Sequence, residues 1–533
     1  MKKNYLNILL CSLISLGFHS CKDYLDTVPI DKVSPKTFLT NVDQARSLMA
    51  GIYNSLYDDG PVYIFPYSFE NMSDNSFNPN TWENSAEFAK GTQTSNSWLA
   101  EYKWNKNWLG ISRANSLIRG VQESELTPSD KLSLLAESRF LRAYFYYELL
   151  TLYGRLPILD ENSPLENPPR QEISDVLTFI GADLTFAADN LPHSFGGQYA
   201  SQGAAIMLQL KVAQYTDDNE AVVALAPKIR DLGYTLYPDF AKLFLDAGIN
   251  DKTNQEVIFK INYAKDLKSS YQTMLWYHWN SFHTTLPMVE SFFTTNGLPV
   301  KDLAIDGGGV ISKDPTYNPN LPFTNRDPRL HLSILCPGSE YRLVAQSRYQ
   351  ANWVPASWGN LSGFRPKKGA DEYIANTEND GSDKIIMRYA EVLLSWAESE
   401  NELNGPAAAY PLIDQIRSRV GMIKLSAAMP NLSKAAMRTI IRNERRVELF
   451  NEGQRWFDIR RWKIAERVMV DAVGLDVSKM KWYSNGNVTA DWQYEPIVID
   501  QRSFNAKRDY LWPIPQKEMN ANPEFEGDQN PGY

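Results

Sequence analysis

Between Ser129 and Tyr153 the chain holds an unbroken helical period, and this run constrains the fold more than any other feature. Leu132, Leu135, Phe140, Ala143, Tyr144 and Tyr147 recur at helical spacing and form one apolar stripe. Gly154 ends the run and Pro157 reinforces the stop. Such a stripe must be buried against other helices, and the sequence supplies them. A helix starts near Asn41 and runs through Ala45, Leu48, Met49, Ile52, Tyr53 and Leu56, and another covers Trp98 to Val121. Further helical patterns fall at 171–191, 201–216, 219–232, 383–404, 407–420, 433–451 and 453–468. Paired helices with small residues at their crossings predict tetratricopeptide-like hairpins, whose repeat is roughly 34 residues. Ala136–Gly154 and Tyr389–Gly405 fit that pattern loosely. Residues 58–97 read as a long ordered loop region, and long loops in compact proteins tend to be functional. The stretches 250–380 and 470–533 are punctuated by Pro, Gly and aromatics, with a short strand expected at Glu256–Ile261. The fold class is therefore mostly α: a tetratricopeptide-like helical-hairpin scaffold with long irregular loops and a few short strands.

The first twenty residues place this body outside the cytoplasm. Lys2 and Lys3 precede the apolar run Leu6–Leu16, too short to span a bilayer but suited to a secretory signal. Gly17 and Ser20 are small, and Cys21 follows. A signal that stops at a cysteine resembles a bacterial lipoprotein signal, so Cys21 is the expected lipidation site; ordinary cleavage nearby is the alternative. Phe18 and His19 depart from the usual residues before the cysteine. The division is then 1–20 signal peptide, 21–40 lipidated tether, 41–250 an N-terminal helical part with the aromatic-rich loop region, and 251–533 a C-terminal part with further helical repeats. Only Cys336 remains once Cys11 leaves with the signal and Cys21 is lipidated, so a disulfide framework is not available. A mature chain of roughly 510 residues does not need one. The formal charge is −9, and loss of Lys2 and Lys3 takes it to about −11, with no basic tract. That argues against nucleic acid and against a polybasic membrane contact.

Seven segments resemble the SusD/RagB family of glycan-binding outer-membrane lipoproteins, in the family's order. They are Cys21–Asp26, Arg139–Pro157, Asn325–Arg329 (Asn-Arg-Asp-Pro-Arg), Met387–Glu398, Ile416–Gly421, Arg442–Leu449 and Leu511–Pro515. The resemblance implies a tetratricopeptide-like scaffold, no catalytic activity, no cofactor and a glycan site on one exposed face. It also implies an outer-membrane, lipid-anchored, surface-exposed protein that caps a TonB-dependent transporter of the SusC type. The glycan region aligns to no particular member, which leaves the cargo open.

A sugar ring offers C–H groups on one face and hydroxyls at its rim, so its site needs exposed aromatic faces flanked by amides or acids. Two stretches concentrate that mixture outside helical periodicity. The first, 63–98, holds Tyr63, Phe65, Tyr67, Phe69, Asn71, Asp74, Asn75, Phe77, Asn78, Trp82, Asn84 and Trp98. The second is Trp276, Tyr277, His278, Trp279 and Asn280, joined by Trp353 and Trp358. The expected ligand-binding set is Tyr67, Asn71, Asp74, Trp82, Trp98, Trp276, Tyr277, Trp279 and Trp353, with Trp82 and Trp276 leading it. Trp104 and Trp108, four apart on a helix, are expected in the core.

Three other readings compete. A glycoside hydrolase needs two carboxylates about 5–9.5 Å apart, and 63 acidic residues neither name nor exclude such a pair. No Gly-x-Ser-x-Gly elbow, P-loop or His-Glu-x-x-His motif occurs, and His278 and His283 bring no further ligand, so no metal site is expected. Glu444, Glu448 and Glu452 could pass for an acid/base cluster, but exposed helix-face ion pairs, Arg445 with Glu448 and Asp458 with Arg461, are the expectation. An adhesive lipoprotein would show many short alternating strands instead. Peptide or glycopeptide cargo keeps the family and changes the ligand. A structural Ca²⁺ stays open, although Asp-rich EF-type loops are absent.

Overall fold

The structure, a computed structural model, describes residues 39–57, 67–164, 167–277, 279–337, 339, 341–343, 348–350, 361–476 and 495–533. The signal, Cys21, most of the tether, Tyr63, Phe65, His278, Trp353 and Trp358 lie outside the described residues, as does the side chain of Tyr277.

The N-terminal helices are α1 (Val42–Tyr53), α2 (Trp98–Glu123), α3 (Pro128–Tyr153), α4 (Ile173–Asn190), α5 (Gln202–Tyr215) and α6 (Asn219–Asp231). Asn41, Thr127, Ser201 and Asp218 start four of them, each side chain accepting from the backbone N–H three residues on. Each of α2 to α6 packs on the next. The crossings need small residues, as the sequence implied: a Cβ on Gly110 would run into the ring of Phe145. At the end of α3, Gly154 takes φ 75°, and the Trp512 N–H bonds the Leu152 carbonyl at 2.7 Å, so the C-terminal segment folds back on this end.

Beyond α6 the chain makes a long irregular excursion before the helices resume as α7 (Tyr389–Leu403), α8 (Pro406–Arg419), α9 (Lys434–Glu448) and α10 (Gln454–Arg461). α7 packs directly on α6, then on α8 and α9, so the helical stack continues across the gap in sequence. Short strands pin the excursion: β1 (Ser76–Phe77), β2 (Val257–Ile261), β3 (His283–Thr284) and β4 (Lys384–Arg388). β2 pairs antiparallel with β4, which leads straight into α7. The helix expected over 383–404 is therefore a strand followed by a helix. Lys384–Arg388 has a partner strand available in β2, and Arg388 is extended at φ −146° where α7 begins. The helix expected over 453–468 is also split, at Lys463, whose φ is 52°.

Where the excursion meets α8 and α9, charges are buried. Glu448 Oε2 accepts from Arg329 Nη1 at 3.0 Å and Oε1 from Arg388 Nη1 at 2.8 Å, with Arg419 on the same oxygen. Glu444 is held by Arg329 at 2.6 Å and Arg417 at 3.0 Å, and Glu452 by Arg388 and Lys368. Arg445 pairs with Asp458, not Glu448, while the expected Asp458–Arg461 pair forms at 2.9 Å. The exposed helix-face pairs expected around Glu448 are thus a buried, long-range network.

Candidate functional site

The 78–84 turn is built from its own side chains. The Asn80 N–H donates to Asn78 Oδ1 at 2.8 Å, a 3₁₀ turn follows at Thr81–Glu83, and Asn84 adopts φ 59°. On the other side, the Trp279 N–H bonds the Met274 carbonyl and the Ser281 N–H bonds that of Leu275, both at 3.0 Å. β1 and β3 bring the two segments together, with Ser76 opposite Thr284 and Phe77 opposite His283. Asn80 then bridges them, its Nδ2 lying 3.1 Å from the Trp279 carbonyl and 3.3 Å from Ser281 Oγ.

The outcome is a pair of indoles at the surface. Trp82 and Trp279 meet edge to face, centroids 5.5 Å apart and planes at 71°. Trp82 is 50% exposed and Trp279 partly so. Asn84 Nδ2 bonds the Trp82 carbonyl at 3.2 Å. Beneath the pair lies Glu83, which accepts from Asn80 at 3.1 Å, from Asn78 and from Ser281. Burial pushes its carboxyl up to about 7, and the three neutral hydrogen bonds hold back part of that rise.

The other expected residues divide by burial. Trp276 is 1% exposed and packs edge-on against Tyr67 at 5.5 Å, so neither is a ligand platform. Asn71 is buried as well: its Nδ2 bonds the Ser281 carbonyl at 3.2 Å and its Oδ1 accepts from Ser76. Asp74 is occupied by Arg455 at 2.7 Å and Arg446 at 3.0 Å. Burial raises its carboxyl, but the two guanidiniums outweigh that and hold it well below the usual range. Tyr67, Asn71, Asp74 and Trp276 are corrected from ligand contacts to supports; their rings, amide and carboxylate are spent inside the fold. Trp98 is 40% exposed and stacks on Tyr102, centroids 4.7 Å apart, on the first turn of α2. Trp104 is buried and Trp108 partly buried against the core, as expected. Sequence reasoning missed Asn80, Glu83 and Ser281. The Asn-x-Asn spacing before Trp82 was the one legible signal for the turn. It also missed Tyr199, 58% exposed with its ring against Tyr53.

Among the described residues, no group of three or more His, Cys, Asp and Glu is placed to hold a metal, and no helix is long and apolar enough to cross a membrane.

Comparison with known proteins bears on the whole chain. A family model described as the SusD family matches residues 245–533, and one described as "Starch-binding associating with outer membrane" matches residues 23–208. The chain belongs to the SusD family. SusD-like protein P25 of Formosa agariphila is 25% identical across 97% of each chain. Starch-binding protein SusD of Bacteroides thetaiotaomicron is 24% identical over 49% of this chain and 52% of its own. Among solved structures, a SusD-like protein from Bacteroides fragilis superposes with a TM-score of 0.78 at 24% identity, covering 95% of this chain and all of its own. A laminarin-binding SusD-like protein gives 0.62 at 20%, covering 93% and 100%. These likenesses establish the SusD fold: the stack α2–α10 is its helical scaffold, and the Trp82–Trp279 pair stands on loops outside that stack.

Proposed function

We propose that this SusD-family chain captures a glycan at the cell surface on Trp82 and Trp279 and hands it to a SusC-like TonB-dependent transporter, anchored in the outer membrane by lipid on Cys21. The observation that carries the reading is the exposed indole pair, flanked by amides and supplied by two loops about two hundred residues apart in sequence. Names borne by relatives, starch-binding and laminarin-binding, support a carbohydrate ligand, and the matched family description supports the outer membrane. Trp98 and Tyr277 are proposed to extend the surface, and Trp353 to join it. Glu83 is only 4% exposed and is held by Asn78, Asn80 and Ser281, so it supports the loops that carry the two indoles.

The test is binding of the full chain, purified in detergent, to a panel of polysaccharides and peptides by affinity gel and calorimetry, with product analysis. Saturable binding to one glycan without products is expected. Trp82→Ala and Trp279→Ala should each weaken it by about 1–3 kcal/mol, the cost of losing a hot-spot ring. Products would make the chain an enzyme, peptide binding alone would change the cargo, and normal affinity in the double variant would remove the site. Cys21→Ala should release the protein from the membrane fraction.

A further inference from the structure

Away from the indole pair, a cavity of about 580 Å³ opens in the helical scaffold between α3, α4, α5 and α10, a size typical of small-molecule sites. Its walls include the rings of Tyr215, Trp456 and Phe457. The cations lining it fall into two classes. Lys211 is paired with Glu391, Arg445 with Asp458, and Arg461 with Glu398 and Asp458. Arg460 and Lys463 form no ion pair among the described residues.

Arg460 is 7% exposed, and its guanidinium lies 3.7 Å above the Trp456 ring. Its hydrogen bonds run to two backbone carbonyls, of Trp456 at 3.3 Å and Asp509 at 3.4 Å, and its Nε has no acceptor among the described residues. Lys463 is exposed beside it, its ammonium 4.4 Å from the centre of the Tyr510 ring. The nearby Glu466 is engaged by the Tyr510 hydroxyl. Gln214 adds a buried amide Nε2 with no acceptor among the described residues. Buried donors are nearly always satisfied, and a buried guanidinium normally meets a carboxylate. Here the side chains of Arg460, Lys463 and Gln214 line one aromatic-walled space in a chain whose net charge is −9.

We propose that this cavity is a second binding site, specific for a small carboxylate: the carboxylate takes Arg460 and Lys463, and an apolar ring or chain lies against Tyr215 and Phe457. An acidic sugar residue and the terminal carboxylate of a short peptide share that chemistry. Binding here is independent of the Trp82–Trp279 site.

The experiment is calorimetric titration of the full chain in detergent with digalacturonate, a neutral disaccharide of the same size, and a dipeptide with a free or amidated C-terminus. A free carboxylate ligand should bind at least about tenfold more tightly than its neutral counterpart, with affinity falling as salt rises. Which of the two acids binds identifies the source. Lys463→Gln, at an exposed position, should weaken binding about fivefold or more. Arg460→Gln should weaken it further, while Trp82→Ala should leave it unchanged. The proposal is overturned if neutral and acidic ligands bind alike, if neither acid binds, if Lys463→Gln has no effect, or if Trp82→Ala abolishes the binding.

Discussion

Two buried acids of this chain sit in opposite surroundings. Glu448, at the end of α9, is 0% exposed and faces Arg329, Arg388 and Arg419. Burial raises its carboxyl, but the cations outweigh burial and hold it far below the usual carboxylate range. Glu83, under the indole pair, is 4% exposed, and among the described residues its carboxyl meets Asn78, Asn80 and Ser281. Nothing there opposes burial except neutral hydrogen bonds, and its carboxyl rises to about 7. Burial is shared; the partners differ. The scaffold uses ionised carboxylates as ties between elements distant in sequence, whereas the loop site rests on a carboxyl whose proton affinity burial has raised.

The largest effect should come from breaking the first arrangement. Glu448→Ala leaves Arg329, Arg388 and Arg419 short of their shared counter-charge, and an uncompensated buried charge costs about 3–5 kcal/mol. Urea denaturation should show that loss, and Glu448→Gln should recover little of it, because the missing element is charge. If Glu448→Gln were nearly neutral, the contrast with Glu83 would fail.

Glu83 should respond the other way. Its folded value, about 7, lies above the ordinary 4.5, so between these the folded chain holds a proton that the unfolded chain has released. Stability from this group is therefore full below pH 4.5, falls as pH rises through the window and is flat above about 7. The span is about 3 kcal/mol at most, at 1.36 kcal/mol per pKa unit. Glu83→Gln keeps a neutral, hydrogen-bonding side chain and should remove that slope. The check is the difference in unfolding free energy between wild type and variant across pH 4.5–8; parallel curves would mean that Glu83 ionises freely in the folded state.

The same contrast explains what the sequence could and could not reveal. The stripe in α3 and the caps of the early helices are local, and their bounds were legible to within a few residues. The strand at Lys384–Arg388 was read as helix because its partner β2 lies over a hundred residues away. Arg445 and Glu448 have the spacing of a helix-face pair, yet each finds a partner elsewhere, since the network is made by segments that meet only in the fold. Composition marked both loops as aromatic and amide-rich, and the fold brings the two together. It put Trp276 ahead of Trp279, but, three residues apart, Trp276 turns inward onto Tyr67 and Trp279 outward to Trp82. Trp276 belongs to the helix Gln272–Tyr277 and Trp279 lies just beyond its end, and the partners each meets come from residues 67–82, about two hundred positions earlier.

The smallest effect tests whether burial, rather than distance, sets these energies. Arg467 Nη1 lies 2.7 Å from Asp306, closer than the 2.8 Å between Arg388 and Glu448. Yet the Arg467 side chain is 59% exposed, and Asp306 also has Arg442 at 2.7 Å. Water screens the exposed pair, and ordering a long side chain offsets most of what the contact gains, so Arg467→Ala should cost no more than about 0.5 kcal/mol. A double-mutant cycle with Asp306→Ala should return a coupling of that size, shrinking as salt is added. A coupling near that of the buried network would mean that geometry alone fixes the energy, and the contrast between Glu448 and Glu83 would then need another cause.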